Sequence, residues 1–185
     1  MVEVYIDDVV VKLALPGTHL ADLRRVLERT RLHGLKMNPK KCAFGVTAGQ
    51  FLGFMVHERG IKIGDKSKNA ITMMTPPGDK KQLQNLIGKL NYIRRFISNL
   101  SGRIEPFMPL VKIKSASDFT WGSEQQRAFD DLKQYLSSPP VLVPPQLDRP
   151  FTVHHQLYLS ADGVSIGLVL IQDFQGKERA VFYLS

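Results

Sequence analysis

The sequence predicts a mixed α/β (α+β) chain, and three observations carry that prediction. Residues 2–11 and 151–184, at the two ends, are rich in β-branched and aromatic residues in short runs bounded by turn residues, which suits strands. Two stretches between them, 83–97 and 123–136, place apolar residues at three- and four-residue steps, the period of a helix buried along one face. Hydrophobic residues make up 43% of the 185, enough to fill a core and to exclude a wholly disordered chain.

The chain opens on a tight hairpin. Val2, Val4, Tyr5 and Ile6 precede Asp7 and Asp8, and Val9-Val10-Val11 come after, so two adjacent aspartates interrupt an apolar run. Asp tolerates turn backbone, which places the pair at or beside the turn. Two carboxylates on rigid flanks can hold a hard divalent cation such as magnesium through oxygen. The alternative is an acidic surface turn. Thr18 then stands where a helix cap belongs, and Gly34 where a helix ends. Between them Leu20, Leu23, Val26, Leu27 and Thr30 share one face, with Arg24, Arg25, Glu28 and Arg29 on the other. Residues 35–45 read as extended, broken at Asn38-Pro39, with Lys40 and Lys41 just past the break.

Residues 50–63 read as a second hairpin turning through His57-Glu58-Arg59-Gly60. Gly53 inside its first strand suggests a bulge or a close backbone approach. A short helix over 66–75 stops at Pro76-Pro77. The most periodic helix, over 83–97, carries Leu83, Leu86, Ile87, Leu90, Ile93, Phe96 and Ile97 on one face. Gln82, Gln84, Asn85, Lys89, Asn91, Arg94 and Arg95 occupy the other. Gly88 costs this helix about 1 kcal/mol relative to Ala, a cost offset only if something approaches closely there. Residues 101–122 read as irregular. Ser123 and Gln126 suggest a capping box for the helix that carries Ala128, Phe129, Leu132, Tyr135 and Leu136. Five prolines within 139–150 predict an extended linker, and alternating strands begin at Phe151.

Charge and ligand counts narrow the function. Net charge is +8, with a pI near 9.7, which points to a polyanionic partner. Residues 61–114 hold 11 Lys/Arg against 3 acids, so the whole excess lies in that segment and charges elsewhere cancel. The single cysteine, Cys42, excludes an internal disulfide and a cysteine-rich zinc site, and reads as a buried thiol. His19, His33, His57, His154 and His155 do not fall at ligand spacing. The last two, adjacent on a strand, point to opposite faces. No apolar run is long enough to span a bilayer, and no signal peptide is visible.

Tyr5-Ile6-Asp7-Asp8 resembles the Tyr-x-Asp-Asp box of reverse transcriptases, and the segments downstream of it resemble that family in order. The supporting helix comes next, then Leu35-Lys36-Met37-Asn38-Pro39-Lys40-Lys41-Cys42-Ala43-Phe44-Gly45, then Phe51-Leu52-Gly53-Phe54, then a thumb-like helix over 83–97. The set resembles the reverse transcriptase C-terminal part of gypsy-class LTR retrotransposon Pol polyproteins. It implies a partial palm (1–60), a helical thumb (61–114), a connection or linker (115–150) and a partial ribonuclease-H-like β-sheet (151–185). It implies Asp7, Asp8, Tyr5 and Lys41 as catalytic, with Asp7 and Asp8 as metal ligands. It implies Phe51, Leu52, Gly53 and Phe54 as primer grip, and Gln84, Lys89, Asn91, Arg94 and Arg95 as nucleic-acid-binding. Lys41 would protonate the leaving pyrophosphate, which requires surroundings that bring its pKa towards working pH.

The same resemblance implies two Mg2+ ions in the complete polymerase and weak or absent binding here. A further essential aspartate of the family lies upstream of the box, so the chain alone is expected not to polymerise DNA. The implied partners are an RNA–DNA hybrid or other duplex, upstream Pol segments, and deoxynucleoside triphosphates only in the complete polymerase. The implied location is intracellular, in a cytoplasmic retroelement particle or the nucleus, without a membrane. In the ribonuclease-H-like part the family's Asp-Ala-Ser reads Ser160-Ala161-Asp162, which puts serine at the ligand position and predicts a structural role. The expected function is a segment of an RNA-directed DNA polymerase. The alternatives are a nucleic-acid-binding module acting through its basic helix, or a decayed or repurposed structural remnant.

Overall fold

A computed structural model describes residues 2–12, 17–146, 148–160 and 163–184, without the side chains of 156–160 and 163–166. The chain is mixed α/β, with helices and three small sheets. It divides into two compact units, Met1–Leu52 and Gly53–Ser185.

The first unit begins with the expected hairpin. Strands β1 (Val2–Tyr5) and β2 (Asp8–Val11) pair antiparallel from Val2↔Val11 to Tyr5↔Asp8. Helix α1 (His19–Leu32) comes next, with the Thr18 carbonyl accepting from the Asp22 N–H at 3.0 Å. Gly34, at φ 67, reverses the chain after it. A 3-10 turn at Pro39–Lys41 and strand β3 (Ala48–Phe51) complete the unit. The Asn38 side chain caps the 3-10 turn by accepting from the Lys40 N–H at 3.1 Å. Cys42 is half-buried rather than buried, its thiol donating to the Asn38 carbonyl. No described residue of this unit is buried. Leu20 is 78% exposed and Val4 67%, so the amphipathic pattern of α1 has no core to face within the unit.

The second unit holds the core. Strands β4 (Phe54–His57) and β5 (Gly60–Ile63) form a hairpin with Phe54 opposite Ile63. Helix α2 (Asp65–Thr72) is followed by α3 (Lys80–Tyr92), whose cap Asp79 accepts from the Gln82 N–H at 2.7 Å. The helix expected over 83–97 stops at Tyr92, and a 3-10 turn, Arg94–Phe96, takes over. The apolar pattern reads through that break because Ile93, Phe96, Ile97 and Leu100 still reach the core, all at most 3% exposed.

The stretch read as irregular contains α4 (Leu100–Ile104) and α5 (Met108–Lys112) around a 3-10 turn at Glu105–Phe107. Five-residue helices are too short to show a period. Pro106 and Pro109 sit in first turns, where a missing N–H costs nothing, so they start helical turns rather than break them. Helix α6 (Ser123–Ser137) is capped one residue earlier than expected. Gly122 is the cap, and the Gln125 side chain reaches back to its N–H at 3.1 Å. Gln126 instead accepts from the Trp121 indole at 2.9 Å. Phe129, Leu132 and Leu136 of α6 are fully buried in one cluster with Leu83, Leu86 and Leu90 of α3.

The last sheet runs in order β6 (Thr152–Ser160), β7 (Gly163–Asp173), β8 (Glu178–Leu184), all antiparallel. Ala180 and Tyr183 of β8 pack on the same core as the helices. The proline-rich stretch before the sheet is tied down by backbone hydrogen bonds. Ile61 and Leu142 exchange two backbone hydrogen bonds at 2.9 and 3.0 Å, and the Val143 N–H donates to the Ala180 carbonyl at 3.0 Å. Gln172, fully buried on β7, accepts from the Gln146 N–H and donates to the Gln146 and Arg149 carbonyls at 2.8–3.0 Å.

Candidate nucleic-acid interface

The acidic turn has the geometry its residues predict. Tyr5 and Asp8 close the hairpin and Ile6-Asp7 form its two-residue tip. Ile6 stands at φ 51, a backbone that a β-branched side chain rarely adopts. The register puts Asp8 on one face with Tyr5, Glu3 and Val10, and Val2, Val4, Val9 and Val11 on the other. Asp7 and Asp8 are both exposed. Their oxygens suit Mg2+ by chemistry. Among the described residues, however, no third carboxylate, histidine or cysteine joins them into a metal-binding group. Lys41, also exposed, belongs to the same unit at the end of the 3-10 turn, and no ion pair links it to either aspartate.

Phe51 ends β3, and Leu52 and Gly53 form a turn with φ 50 and 76. Gly53 is therefore a turn glycine, not the strand bulge its position suggested. The strand stops before it, and two successive positive φ values reverse the chain. The close approach at Gly53 comes from within the protein, since a Cβ there would overlap the Tyr92 hydroxyl. Phe54 lies beneath the end of α3. Its ring stacks on Tyr92 at 5.5 Å and 13°, meets Phe96 at 5.4 Å, and lies under the Arg95 guanidinium at 5.1 Å.

The outer face of α3 carries Gln84, Gly88 and Asn91, all exposed, with Lys89 half-exposed beside them. Arg94 and Arg95, also exposed, belong to the 3-10 turn that continues it. Gly88 has nothing within 4 Å of where a Cβ would stand. Its cost to the helix is thus not offset by any contact inside the protein.

The basic excess of 61–114 is not all available to a ligand. Lys68 donates to the Ser137 carbonyl at 2.8 Å, Lys80 to Ile113 at 2.7 Å, and Arg103 to Ser98 at 3.0 Å while lying over the Tyr135 ring. These three cations satisfy backbone carbonyls near helix ends, a structural task that a charge count does not reveal. The other eight, among them Lys81, Lys89, Arg94 and Arg95, make no hydrogen bond or ion pair within the described residues.

In the last sheet Ser160 pairs with Gly163 at the end of β6, while Ala161 and Asp162 lie outside the described residues. His154 stands 3.6 Å from Glu178. Tyr92 and Gln172 escaped the sequence reading. An aromatic residue on the polar face of α3 was the available signal for Tyr92. Nothing in the sequence marks Gln172.

Comparison with known proteins completes this picture. Residues 121–185 match the RNase H-like domain found in reverse transcriptase. The retrovirus-related Pol polyprotein from transposon opus of Drosophila melanogaster is 35% identical over 191 aligned residues, covering 98% of this chain. This chain is similar to a segment of LTR-transposon Pol polyproteins. The transposon Tf2-3 polyprotein of Schizosaccharomyces pombe is 28% identical over 91% of the chain. The chain spans 19% of the opus polyprotein and 12% of the Tf2-3 polyprotein. Solved structures share the fold. The foamy viral protease-reverse transcriptase in complex with dsDNA superposes with a TM-score of 0.82 at 23% identity, covering 99% of this chain and 37% of that one. The same protein in complex with RNA/DNA hybrid gives 0.80 at 25% identity, covering 98% and 24%. The matched region, 121–185, includes α6 as well as the last sheet. No described helix is long and apolar enough to cross a membrane.

Proposed function

We propose that the chain acts as part of an RNA-directed DNA polymerase, in which the outer face of α3 lies along an RNA–DNA duplex. The observation that carries this reading is Gly88, a helix-weakening residue at an exposed position with open space around it, between Gln84, Lys89 and Asn91. A glycine there lets a sugar–phosphate backbone approach the helix axis, and amides and cations beside it can meet phosphate and sugar without reading bases. The foamy viral structures that share the fold hold dsDNA and RNA/DNA hybrid, which supports the choice of partner.

In this reading residues 1–60 are the end of a palm and 61–114 a thumb, joined through 115–150 to a ribonuclease-H-like sheet. Phe51 to Phe54 form the primer grip. Tyr5, Asp7, Asp8 and Lys41 serve the polymerase centre, with Asp7 and Asp8 holding Mg2+. Two carboxylates are too few for a site that bridges two metals. The remaining ligands and the deoxynucleoside triphosphate pocket would come from upstream Pol segments. The ribonuclease-H-like part is structural, because a serine at position 160 supplies no negative charge to a metal.

Fluorescence anisotropy on an RNA–DNA hybrid over a salt series tests the interface. Each phosphate contact should contribute about −0.7 to −0.9 to the slope of log K against log salt, giving roughly −2 to −4 for three to five contacts. Lys89→Ala with Arg95→Ala should make the slope shallower by about one to two units. Gly88→Ala should stabilise the fold by about 1 kcal/mol in urea unfolding and yet weaken binding. A Gly88→Ala protein that binds the hybrid as tightly as wild type would remove the reason for the glycine. A labelled hybrid incubated with Mg2+ or Mn2+ should remain uncut, and specific RNA cleavage would overturn the structural role of the last sheet.

A further inference from the structure

Phe54 belongs to the stretch assigned to the primer, yet its ring is engaged elsewhere. Tyr92 stacks on it, Phe96 meets it at 45°, and the Arg95 guanidinium lies over it at 5.1 Å. All four residues belong to the second unit, three of them at the point where α3 gives way to the 3-10 turn. Arg95 is exposed and has no hydrogen-bond or ion-pair partner among the described residues. It is therefore held by a ring face alone.

We propose that Phe54 is a positioning residue for Arg95, fixing the guanidinium as a pre-set clamp for a backbone phosphate of the bound duplex. This rests on the reading of the α3 face as a duplex interface. A planar guanidinium lying on a ring keeps its N–H edges free to point outward, where a phosphate can accept two of them. A free arginine must lose side-chain freedom to make the same contact. One already parked on Phe54 has lost much of it before the duplex arrives. Tyr92 supports the arrangement by stacking on Phe54 from the helix, and its hydroxyl occupies the space a Gly53 side chain would need. The turn at Gly53 and the end of α3 are thereby joined through one aromatic ring.

Salt dependence separates this role from a direct contact. The slope of log K against log salt counts neutralised phosphates, whereas pre-organisation changes K at every salt concentration by the same factor. Arg95→Ala should make the slope shallower by about 0.7 to 0.9. Phe54→Leu should leave the slope unchanged and lower K by about three- to tenfold. In the Arg95→Ala background Phe54→Leu should lose most of its effect, because there is no guanidinium left to position and only the contribution of the 51–54 stretch to the primer grip remains. Should Phe54→Leu fail to fold by circular dichroism, Arg95→Lys takes its place. It keeps the charge, and so the slope, but gives up the guanidinium's hold on the ring and lowers K comparably. Additive effects of Phe54→Leu and Arg95→Ala, or an Arg95→Lys protein as tight as wild type, would overturn the positioning role while leaving the interface standing. Absence of any salt-sensitive hybrid binding by wild type would overturn the interface, and the positioning role with it.

Discussion

Tyr183 shows at the residue scale how far the last strand is drawn into the helical core. Burial raises its phenol pKa above the ordinary 10.0, and the neighbouring Tyr135 phenol adds to the rise. The folded state thus holds this proton more tightly than the unfolded chain. The resulting stability is complete below pH 10.0 and is lost as pH rises through the folded pKa. Tyr183→Phe should flatten the fall in urea midpoint between neutral and strongly alkaline pH. An unchanged alkaline limb would show that Tyr183 ionises freely. Single residues were legible in the sequence where chemistry and backbone agreed. Asp7 and Asp8 announced a turn because Asp favours one, and the turn is there. Gly53 announced a special backbone, but a bulge and a two-residue turn look alike in sequence. Arg103 and Lys80 looked like interface cations, since no sequence pattern shows which carbonyl a flexible lysine or arginine will find.

Elements were legible where one face is buried over several turns. The stripe from Leu83 to Ile97 predicted core residues, with Ile87 only half-buried, although the helix breaks at Tyr92. A 3-10 turn preserves enough of the i, i+3 spacing to keep the pattern running. Helices α4 and α5 were invisible because five residues carry no measurable period. The proline-rich stretch was read as an extended linker, and its attachment depends on partners 26 and 23 residues away, at Gln172. That attachment is testable. Gln172→Ala would leave the Gln146 N–H and two carbonyls without this partner at a half-buried site, at a cost of about 1–3 kcal/mol. Urea unfolding should show a lower midpoint. An unchanged midpoint would mean that water replaces the side chain without loss.

At the scale of the whole molecule the two units differ in kind. The second has a contiguous core in which Leu83, Leu86, Leu90, Phe96, Phe107, Phe129, Leu132 and Leu136 are fully buried. The first has no buried residue among those described, and an isolated two-stranded hairpin is marginal in water. Hydrogen exchange should therefore find the amides of α3 and α6 protected by the global unfolding free energy, with β1, β2 and α1 exchanging through far smaller openings. Equal protection in both units would show that the first gains stability from a source its own packing does not reveal. The exposed valine face of β1–β2 and the exposed leucines of α1 also identify where a covering partner would add stability.

The ties that hold residues 142–143 between β5 and β8 bear on how the chain is made. Ile61, Leu142, Val143 and Ala180 are joined by backbone hydrogen bonds that span 81 and then 37 positions. During synthesis at roughly 5–20 residues per second, β5 would leave the ribosome several seconds before its eventual neighbours. The aromatic and leucine surface of α3 would wait with it, since Tyr183 and Ala180 complete the same cluster. The helical core therefore gains its last packing partners, Ala180 and Tyr183, only when β8 has been made.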